Sequence, residues 1–214
     1  MSYIRTKTSY ITVQGNRIAY RELGNGKSNV PLVMLVHLAA TLDNWDPKLI
    51  DLLAKQQHVI LLDLPGVGAS SGKVATTFRY ILQAGLERID PKRFLFYNHD
   101  AAGKREAMEV LDRLDSRPPE YADSNMTIPS FLRQLKAIKR WGQAGTDDLR
   151  FITQPTLIVN GDNDIMVPTK NSYDLHEKIA HSKIIIYPHA GHGSLFQYAD
   201  QFAKDLLAFL QQNA

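Results

Sequence analysis

The stretch that decides the fold is PLVMLVHLAATLDNWDPKLIDLLAKQQHVILLD, residues 31–63. It begins with a continuous apolar run at 31–36, of the kind that is buried on both faces of a parallel sheet. An amphipathic segment at 43–56 follows, and Pro47 in its first turn favours a helix. A second apolar run at 58–63 predicts another strand. Strand, helix and strand in this order indicate a right-handed parallel unit, and therefore an α/β fold.

The same alternation returns towards the end of the chain. PTLIVN at 155–160 predicts a strand, 170–181 a helix, and KIIIY at 183–187 a further strand. Residues 194–212 carry apolar side chains at spacings of three and four, which predicts one amphipathic helix. Both halves of the chain are therefore expected to be α/β.

The N-terminal residues predict an antiparallel hairpin. Two β-favouring runs, SYITVQ at 9–14 and RIAYREL at 17–23, flank the turn residues Gly15 and Asn16. We expect the two strands to lie at an edge of the sheet and to be partly exposed.

The middle of the chain has a different pattern. Apolar residues recur at helical spacing in 77–89, 103–114 and 128–141, and a Pro-rich linker spans 116–125. Phe94 to Tyr97 is the one stretch here that could form a strand, and it is a poor candidate. This segment is expected to be helical.

Composition limits the classes of partner. The 214 residues are 44% hydrophobic and 22% charged, which is typical of a soluble protein with one sizeable core. Charges of both signs are interspersed, so we predict neither a nucleic-acid nor a membrane partner. The absence of cysteine excludes disulfides, thiolate catalysis and cysteine-based zinc sites. With no apolar stretch typical of a signal peptide or a membrane span, a cytoplasmic protein without cofactor is expected.

Two predicted strands of the C-terminal half are followed by loops that carry ionisable side chains. Asp162 and Asp164 come after the strand at 155–160, and His189 and His192 come after the strand at 183–187. Loops at the carboxyl edge of an open sheet can bring an aspartate onto a histidine, which orients the imidazole as a general base. Ordinary turn capping is the alternative for the aspartates, and an exposed loop position is the alternative for His192. Because no nearby carboxylate completes a ligand set with the histidines, no metal site is predicted.

Two other loops carry patterns that occur at hydrolytic sites. The strand at 31–36 runs into His37-Leu38-Ala39-Ala40, a turn that could point backbone N–H groups at an oxyanion. Gly68-Ala69-Ser70-Ser71-Gly72 matches the G-x-S-x-G pattern of a nucleophile elbow. An elbow serine joins a strand directly to a helix, whereas Ser70 lies several residues past its strand and beyond a Pro-Gly turn. We therefore interpret Ser70 as part of a structural loop and find no nucleophile.

Together these segments resemble the α/β-hydrolase family, and within it the cap-bearing branch of esterases, dehalogenase-like enzymes, cofactor-free perhydrolases and proline iminopeptidases. The resemblance rests on four stretches in the family's order, 32–47, 58–72, 155–168 and 184–197. Their order and character match the family over about 140 of the 214 residues. The resemblance implies a mostly parallel sheet with an N-terminal antiparallel hairpin and a helical cap.

The resemblance also implies roles for individual residues. Asp164 aligns with the catalytic acid, His192 with the general base, and the backbone N–H of Ala39 or Leu38 with one oxyanion donor. The family usually has glycine where this chain has Leu38, which alters the geometry of that donor. The aromatic and aliphatic residues of the cap are consistent with a small apolar ester-like or amide-like ligand.

The central part of the chain departs from the family. After the D-x-x-G-x-G-x-S loop the family has a helix, a strand, the elbow, another helix and a strand before the cap, whereas cap-like sequence follows Gly72 almost at once. About 60 to 70 residues are missing on the usual length of such units. The predicted organisation is a core half at 1–72, a helical cap at 73–150 and a second core half at 151–214, with a depleted central sheet.

Three functional hypotheses follow. The first is a hydrolase-family protein that is impaired or inactive because it lacks the elbow. The second is an active serine hydrolase of small esters or amides whose central segment is absent from this 214-residue sequence. The third is a non-catalytic binding or assembly module, in which a bared sheet edge forms a homodimer.

Overall fold

The computed structural model describes residues 2–13, 15–38, 40–64, 68, 92–143 and 148–213. The strands in these ranges are β1 (Ser9–Val13), β2 (Asn16–Leu23), β3 (Leu32–Leu35), β4 (Val59–Leu62), β5 (Thr156–Gly161) and β6 (Ser182–Tyr187). The α-helices are α1 (Pro47–Leu53), α2 (Lys92–Leu95), α3 (Ala101–Asp115), α4 (Ile128–Gln143), α5 (Lys170–Lys178), α6 (Ser194–Gln197) and α7 (Ala199–Gln212). None of these helices is both long enough and apolar enough to cross a membrane.

The chain divides into two compact units, each built from two segments. The first comprises Met1–Leu82 and Arg113–Gly145, and the second comprises Gln83–Asp112 and Thr146–Ala214. The segment expected to form a cap therefore contributes to both units. The three-part organisation inferred from the sequence stays a prediction.

The first unit contains a mixed sheet in the order β1-β2-β4-β3. β1 and β2 form the predicted hairpin, with Val13 opposite Asn16 across the turn. β2 then pairs antiparallel with β4, and β3 pairs parallel with β4. The parallel β3–β4 pair connected through α1 is the unit that the stretch at 31–63 predicts, and the α/β class is confirmed.

The exposure of β3 corrects the prediction that this strand is buried on both faces. Met34 is buried, but Val33 and Leu35 are 51% and 57% exposed. Side chains two apart share a face of a strand, so one face of β3 is covered and the other is not. A continuous apolar run shows only that both faces of a strand can be buried. Whether other elements of the chain pack over both faces depends on residues far away in the sequence.

Two predicted helices are divided by local contacts. The helix expected at 43–56 begins only at Pro47, where the Asp46 carboxylate accepts from the N–H of Lys48 at 2.9 Å, and Leu42–Asn44 forms a separate 3-10 turn. The helix expected at 194–212 is interrupted at Tyr198. The Tyr198 ring stacks on Tyr187 at 4.7 Å between centroids, and its hydroxyl donates to the carbonyl of Pro188 at 2.8 Å. These contacts hold the tyrosine in a non-helical conformation.

The helices predicted at 103–114 and 128–141 are present as α3 and α4. The helix predicted at 77–89 lies outside the described residues. Phe94 to Tyr97 does not form a strand, because Lys92–Leu95 is a short helix and Phe96 and Tyr97 follow it in a bend. The linker at 116–125 contains one 3-10 turn, Pro119–Tyr121.

The second unit contains a two-stranded parallel sheet made of β5 and β6, with Thr156 opposite Ser182 and Gly161 opposite Tyr187. Both strands end at the same edge, so the loops that follow them leave the sheet side by side. This register places the loop that carries Asp164 and the loop that carries His192 next to each other.

Candidate active site

The acid loop, residues 161–168, is shaped by its own backbone. Oδ1 of Asp164 accepts hydrogen bonds from the N–H groups of Met166 and Val167, at 2.8 and 2.9 Å. The buried Asn160 closes the loop, because its amide donates to the carbonyl of Val167 at 3.1 Å. Oδ1 of Asp164 thus accepts hydrogen bonds within its own loop, and Oδ2 is available to a partner outside it.

The histidine loop, residues 188–193, runs from the end of β6 to the start of α6. His189 has a φ of +50°, a conformation that side chains other than glycine seldom adopt. The N–H of Gly191 donates to the side-chain oxygen of Gln197 at 3.1 Å, and the amide of Gln197 donates to Glu106 at 2.6 Å. The histidine loop is therefore held by hydrogen bonds that involve α6 and α3 as well as by its connection to β6.

The two loops are in close contact. A Cβ atom at Gly161 would lie 2.1 Å from the carbonyl oxygen of Ala190, so only glycine permits this approach. The N–H of Asn163 donates to the same carbonyl at 2.9 Å, and the N–H of Ala190 donates to Asp162 at 3.2 Å. Asp162 thus connects the two loops, which differs from the turn capping that the sequence left open as an alternative for this residue.

The structure brings Asp164 and His192 together. His192 Nδ1 lies 2.9 Å from Oδ2 of Asp164. The Asp164 side chain is 1% exposed, whereas that of His192 is 26% exposed. Burial raises the pKa of the Asp164 carboxyl, but the hydrogen bond from His192, the two backbone N–H donors and the charge of His192 outweigh it and hold the pKa below its usual value. The carboxylate is therefore ionised near neutral pH.

In this pair the carboxylate can orient the imidazole, and the imidazole can then accept and return a proton. A carboxylate at Nδ1 keeps the proton on that nitrogen, which leaves Nε2 as the basic atom and stabilises the imidazolium once Nε2 accepts a proton. Among the described residues, no hydroxyl group hydrogen-bonds to His192. The described part of the site therefore has the geometry that a general base and its orienting carboxylate require.

The segment 96–98 contacts the histidine loop, and the sequence did not reveal it. Phe96 meets the His192 ring edge-on, with 4.9 Å between centroids and 71° between planes. Its carbonyl accepts from the N–H of Gly193 at 2.8 Å. Asn98 donates to the carbonyl of His189 at 2.8 Å. The only signal in the sequence was a short apolar run ending in polar residues, which identifies no partner.

The other residues predicted for the site are placed as follows. Leu38 lies in the turn after β3, in the first unit, and the N–H of Ala40 donates to the carbonyl of His37 in that turn at 3.2 Å. Ala39 and Ser70 lie outside the described residues. Within the described ranges, no three side chains of His, Asp or Glu converge as metal ligands would.

Sequence comparison establishes the family. The family model for the alpha/beta hydrolase fold matches residues 83–199, which is more than half of the chain. The chain belongs to the α/β-hydrolase family. Its matched region contains both loops of the candidate site.

Curated relatives of this α/β-hydrolase include proteins of several activities. The 2-hydroxy-6-oxo-6-(2'-aminophenyl)hexa-2,4-dienoic acid hydrolase of Metapseudomonas resinovorans is 30% identical over 111 residues, a match that covers 51% of this chain and 38% of the relative. The chain therefore matches well under half of that enzyme's length. ABHD14B of Rattus norvegicus, whose name carries a proposed protein-lysine deacylase activity, is 25% identical over 224 residues and is matched over 100% of both chains.

Solved structures agree with the assignment. An alpha/beta hydrolase fold protein from Chitinophaga pinensis superposes with a TM-score of 0.87 at 27% identity, covering 98% of this chain and 99% of that one. The CarC enzyme, a serine hydrolase of carbazole degradation, superposes with a TM-score of 0.63 at 19% identity, covering 97% and 99%. At that identity the second likeness concerns the fold alone.

Proposed function

We propose that this chain is a member of the α/β-hydrolase family of acyl-hydrolase ancestry that keeps the acid and the base of a catalytic triad but lacks its nucleophile, and is therefore inactive or nearly so towards esters and amides. The observation that carries the proposal is the 2.9 Å contact between His192 Nδ1 and the buried carboxylate of Asp164. Hydrolases and a proposed deacylase among its relatives support acyl transfer as the reaction.

In this reaction each residue has one role. Asp164 holds the imidazole with Nδ1 protonated and balances the charge that forms on it. Nε2 of His192 accepts the proton of the attacking hydroxyl, from a serine or from water, and returns it to the leaving group. The ligand is a small apolar ester or amide, consistent with the aromatic and aliphatic residues at 77–89 and 128–141.

We expect impaired catalysis because the sequence between residues 64 and 100 lacks the pattern of a nucleophile elbow. This stretch has no predicted strand that passes through G-x-S-x-G directly into a helix, and in the sequence Ser70 follows a Pro-Gly pair rather than a strand. Without an elbow the chain has neither the nucleophile nor the oxyanion donor contributed by the residue after it. Loss of the serine alone costs a comparable triad on the order of a millionfold in turnover.

The proposal predicts that the wild-type chain hydrolyses p-nitrophenyl acetate and p-nitrophenyl butyrate no faster than the His192→Gln variant, which lacks the base but keeps a side chain of similar size. A serine-directed phosphonate is expected to leave the intact mass at 24.1 kDa. Turnover by the wild type well above His192→Gln, or stoichiometric labelling by the phosphonate, would show that a working nucleophile is present. An intact mass larger by about 7 kDa, at roughly 110 Da per residue, would identify the central segment as present in the protein.

A second candidate is an assembly module that dimerises through β3. Among the described residues β3 pairs with β4 alone, and its Val33 and Leu35 are exposed. A strand with a free edge and an apolar face can pair with the same strand of a second copy about a two-fold axis.

This candidate predicts a dimer at micromolar concentration by light scattering, and a monomer after Val33→Lys. The Val30→Lys variant is the matched control, because Val30 is 73% exposed and lies just before the strand. A wild-type monomer would contradict the assembly function and leave the acyl hydrolase proposal unaffected.

A further inference from the structure

Asn98 makes one contact with each of the two loops that carry the candidate catalytic residues. Its Nδ2 donates to the carbonyl of His189 at 2.8 Å, in the histidine loop. Its Oδ1 accepts from Nδ2 of Asn163 at 2.7 Å, in the acid loop. A single side chain therefore bridges the loop of the acid and the loop of the base.

The bridged carbonyl belongs to an unusual backbone position. His189 is the described residue other than glycine that has a positive φ, at +50°. Such a conformation costs free energy and persists where surrounding contacts hold it. The bond from Asn98 is one of these contacts, and it lies three residues before His192.

Phe96 and Tyr97, the residues just before Asn98, also contact the histidine loop. Phe96 is 7% exposed, accepts the N–H of Gly193 on its carbonyl, and places its ring edge-on to His192. A Cβ at Gly191 would lie 2.5 Å from that carbonyl, and a Cβ at Gly193 would lie 3.0 Å from the Tyr97 ring. The close approach of this segment thus requires glycine at position 191, and at position 193 a Cβ would fit only if the Tyr97 ring shifted.

We propose that Asn98 is a positioning residue for the Asp164–His192 pair, which keeps Nδ1 of His192 on the carboxylate by joining the two loops. The inference rests on the proposed function for the meaning of the pair, but it concerns the geometry of the pair alone. Loss of the bridge lets the histidine loop move away from the acid loop, and the hydrogen bond at Nδ1 opens more often.

The experiment follows the Nδ1–H proton of His192 by NMR, assigned by its absence in His192→Gln. In Asn98→Ala both bridging bonds are lost, and we expect solvent exchange of this proton to rise about tenfold, as suits the loss of two partly exposed hydrogen bonds. Asn163→Ala removes only the bond on the acid side, so a smaller rise of about threefold is expected. Asn213→Ala is the matched control, since Asn213 also donates to a backbone carbonyl, that of Phe209 in α7.

Exchange in Asn98→Ala equal to that in Asn213→Ala would overturn the proposal. Should Asn98→Ala fail to fold, Asn163→Ala decides in its place, and an unchanged exchange rate there overturns it. A merely structural role would change the midpoint of urea unfolding without selectively exposing this proton. The readout needs neither nucleophile nor substrate, so turnover by the wild type would contradict the proposed function and not this inference.

Discussion

Arg21→Met is expected to lower the free energy of unfolding by about 3 to 5 kcal/mol, the usual cost of removing one partner of a buried ion pair. The Arg21 side chain is fully buried, and its guanidinium donates to Asp43 at 2.7 Å and to the carbonyl of Tyr121 at 3.0 Å. Its removal deprives these two partly buried acceptors of a charged donor and leaves a space where the buried side chain stood. Urea unfolding followed by circular dichroism measures the change.

The neighbours of Arg21 explain why so large a loss is expected. Tyr3 is fully buried against the guanidinium, and burial raises the pKa of its hydroxyl to about 12, so it remains a neutral donor to the carbonyl of Leu42. Asp43 also pairs with Arg117 at 3.0 Å. The network therefore ties the N-terminal residues, β2 and the linker at 116–125 together.

Arg17→Met is the matched control on the same strand. Arg17 is exposed and lies over the Tyr10 ring at 4.5 Å, so its loss should cost less than about 1 kcal/mol. A change of that small size in Arg21→Met would mean that Arg117 alone satisfies Asp43, and it would contradict the prediction.

The second large effect is expected at Asp164. In Asp164→Ala the N–H groups of Met166 and Val167 and the Nδ1–H of His192 lose their acceptor, which should cost about 2 to 3 kcal/mol in partly exposed surroundings. Asp162→Ala is the control within the same loop, because Asp162 accepts a longer bond of 3.2 Å from one N–H, and a loss of about 1 kcal/mol is expected. Equal decreases in the free energy of unfolding for the two variants would contradict the prediction that Asp164 contributes more to stability than Asp162.

The contribution of Asp164 should depend on pH in one direction. Because its folded pKa is depressed, the carboxylate stabilises the fold fully above about pH 5, and the contribution disappears as the pH falls through the unfolded value of about 3.9 towards the lower folded value. Asp164→Asn keeps an acceptor for the backbone but cannot ionise, so its unfolding free energy should fall less steeply with acid than that of the wild type. An identical pH profile for the two proteins would count against the ionised pair.

Asp164 and His192 could be predicted from the sequence because both follow apolar strands that end at one edge of a sheet. The runs at 155–160 and 183–187 predict those strands, and the register of β5 and β6 brings Asp164 within 2.9 Å of His192 Nδ1. The catalytic roles of the two residues stay predictions.

The contacts around the pair could not be read in the same way. Asn98 stands 65 residues before its partner in the acid loop and 91 before its partner in the histidine loop, Phe96 is similarly distant from His192, and nothing in their local pattern names a partner. The network of Arg21, Asp43 and Arg117 also joins segments far apart in the chain. Such pairings depend on long-range packing, which local periodicity does not encode.

The sequence by itself determined the α/β class, the hairpin and the loops that carry Asp164 and His192, because hydrophobic periodicity and turn residues act over a few positions. The tertiary structure alone decided that Val33 and Leu35 are exposed, that the C-terminal helix breaks at Tyr198, and that Asn98 joins the acid and histidine loops. Burial and hydrogen bonding between distant residues depend on which surfaces meet after folding, and that is a property of the whole packed chain.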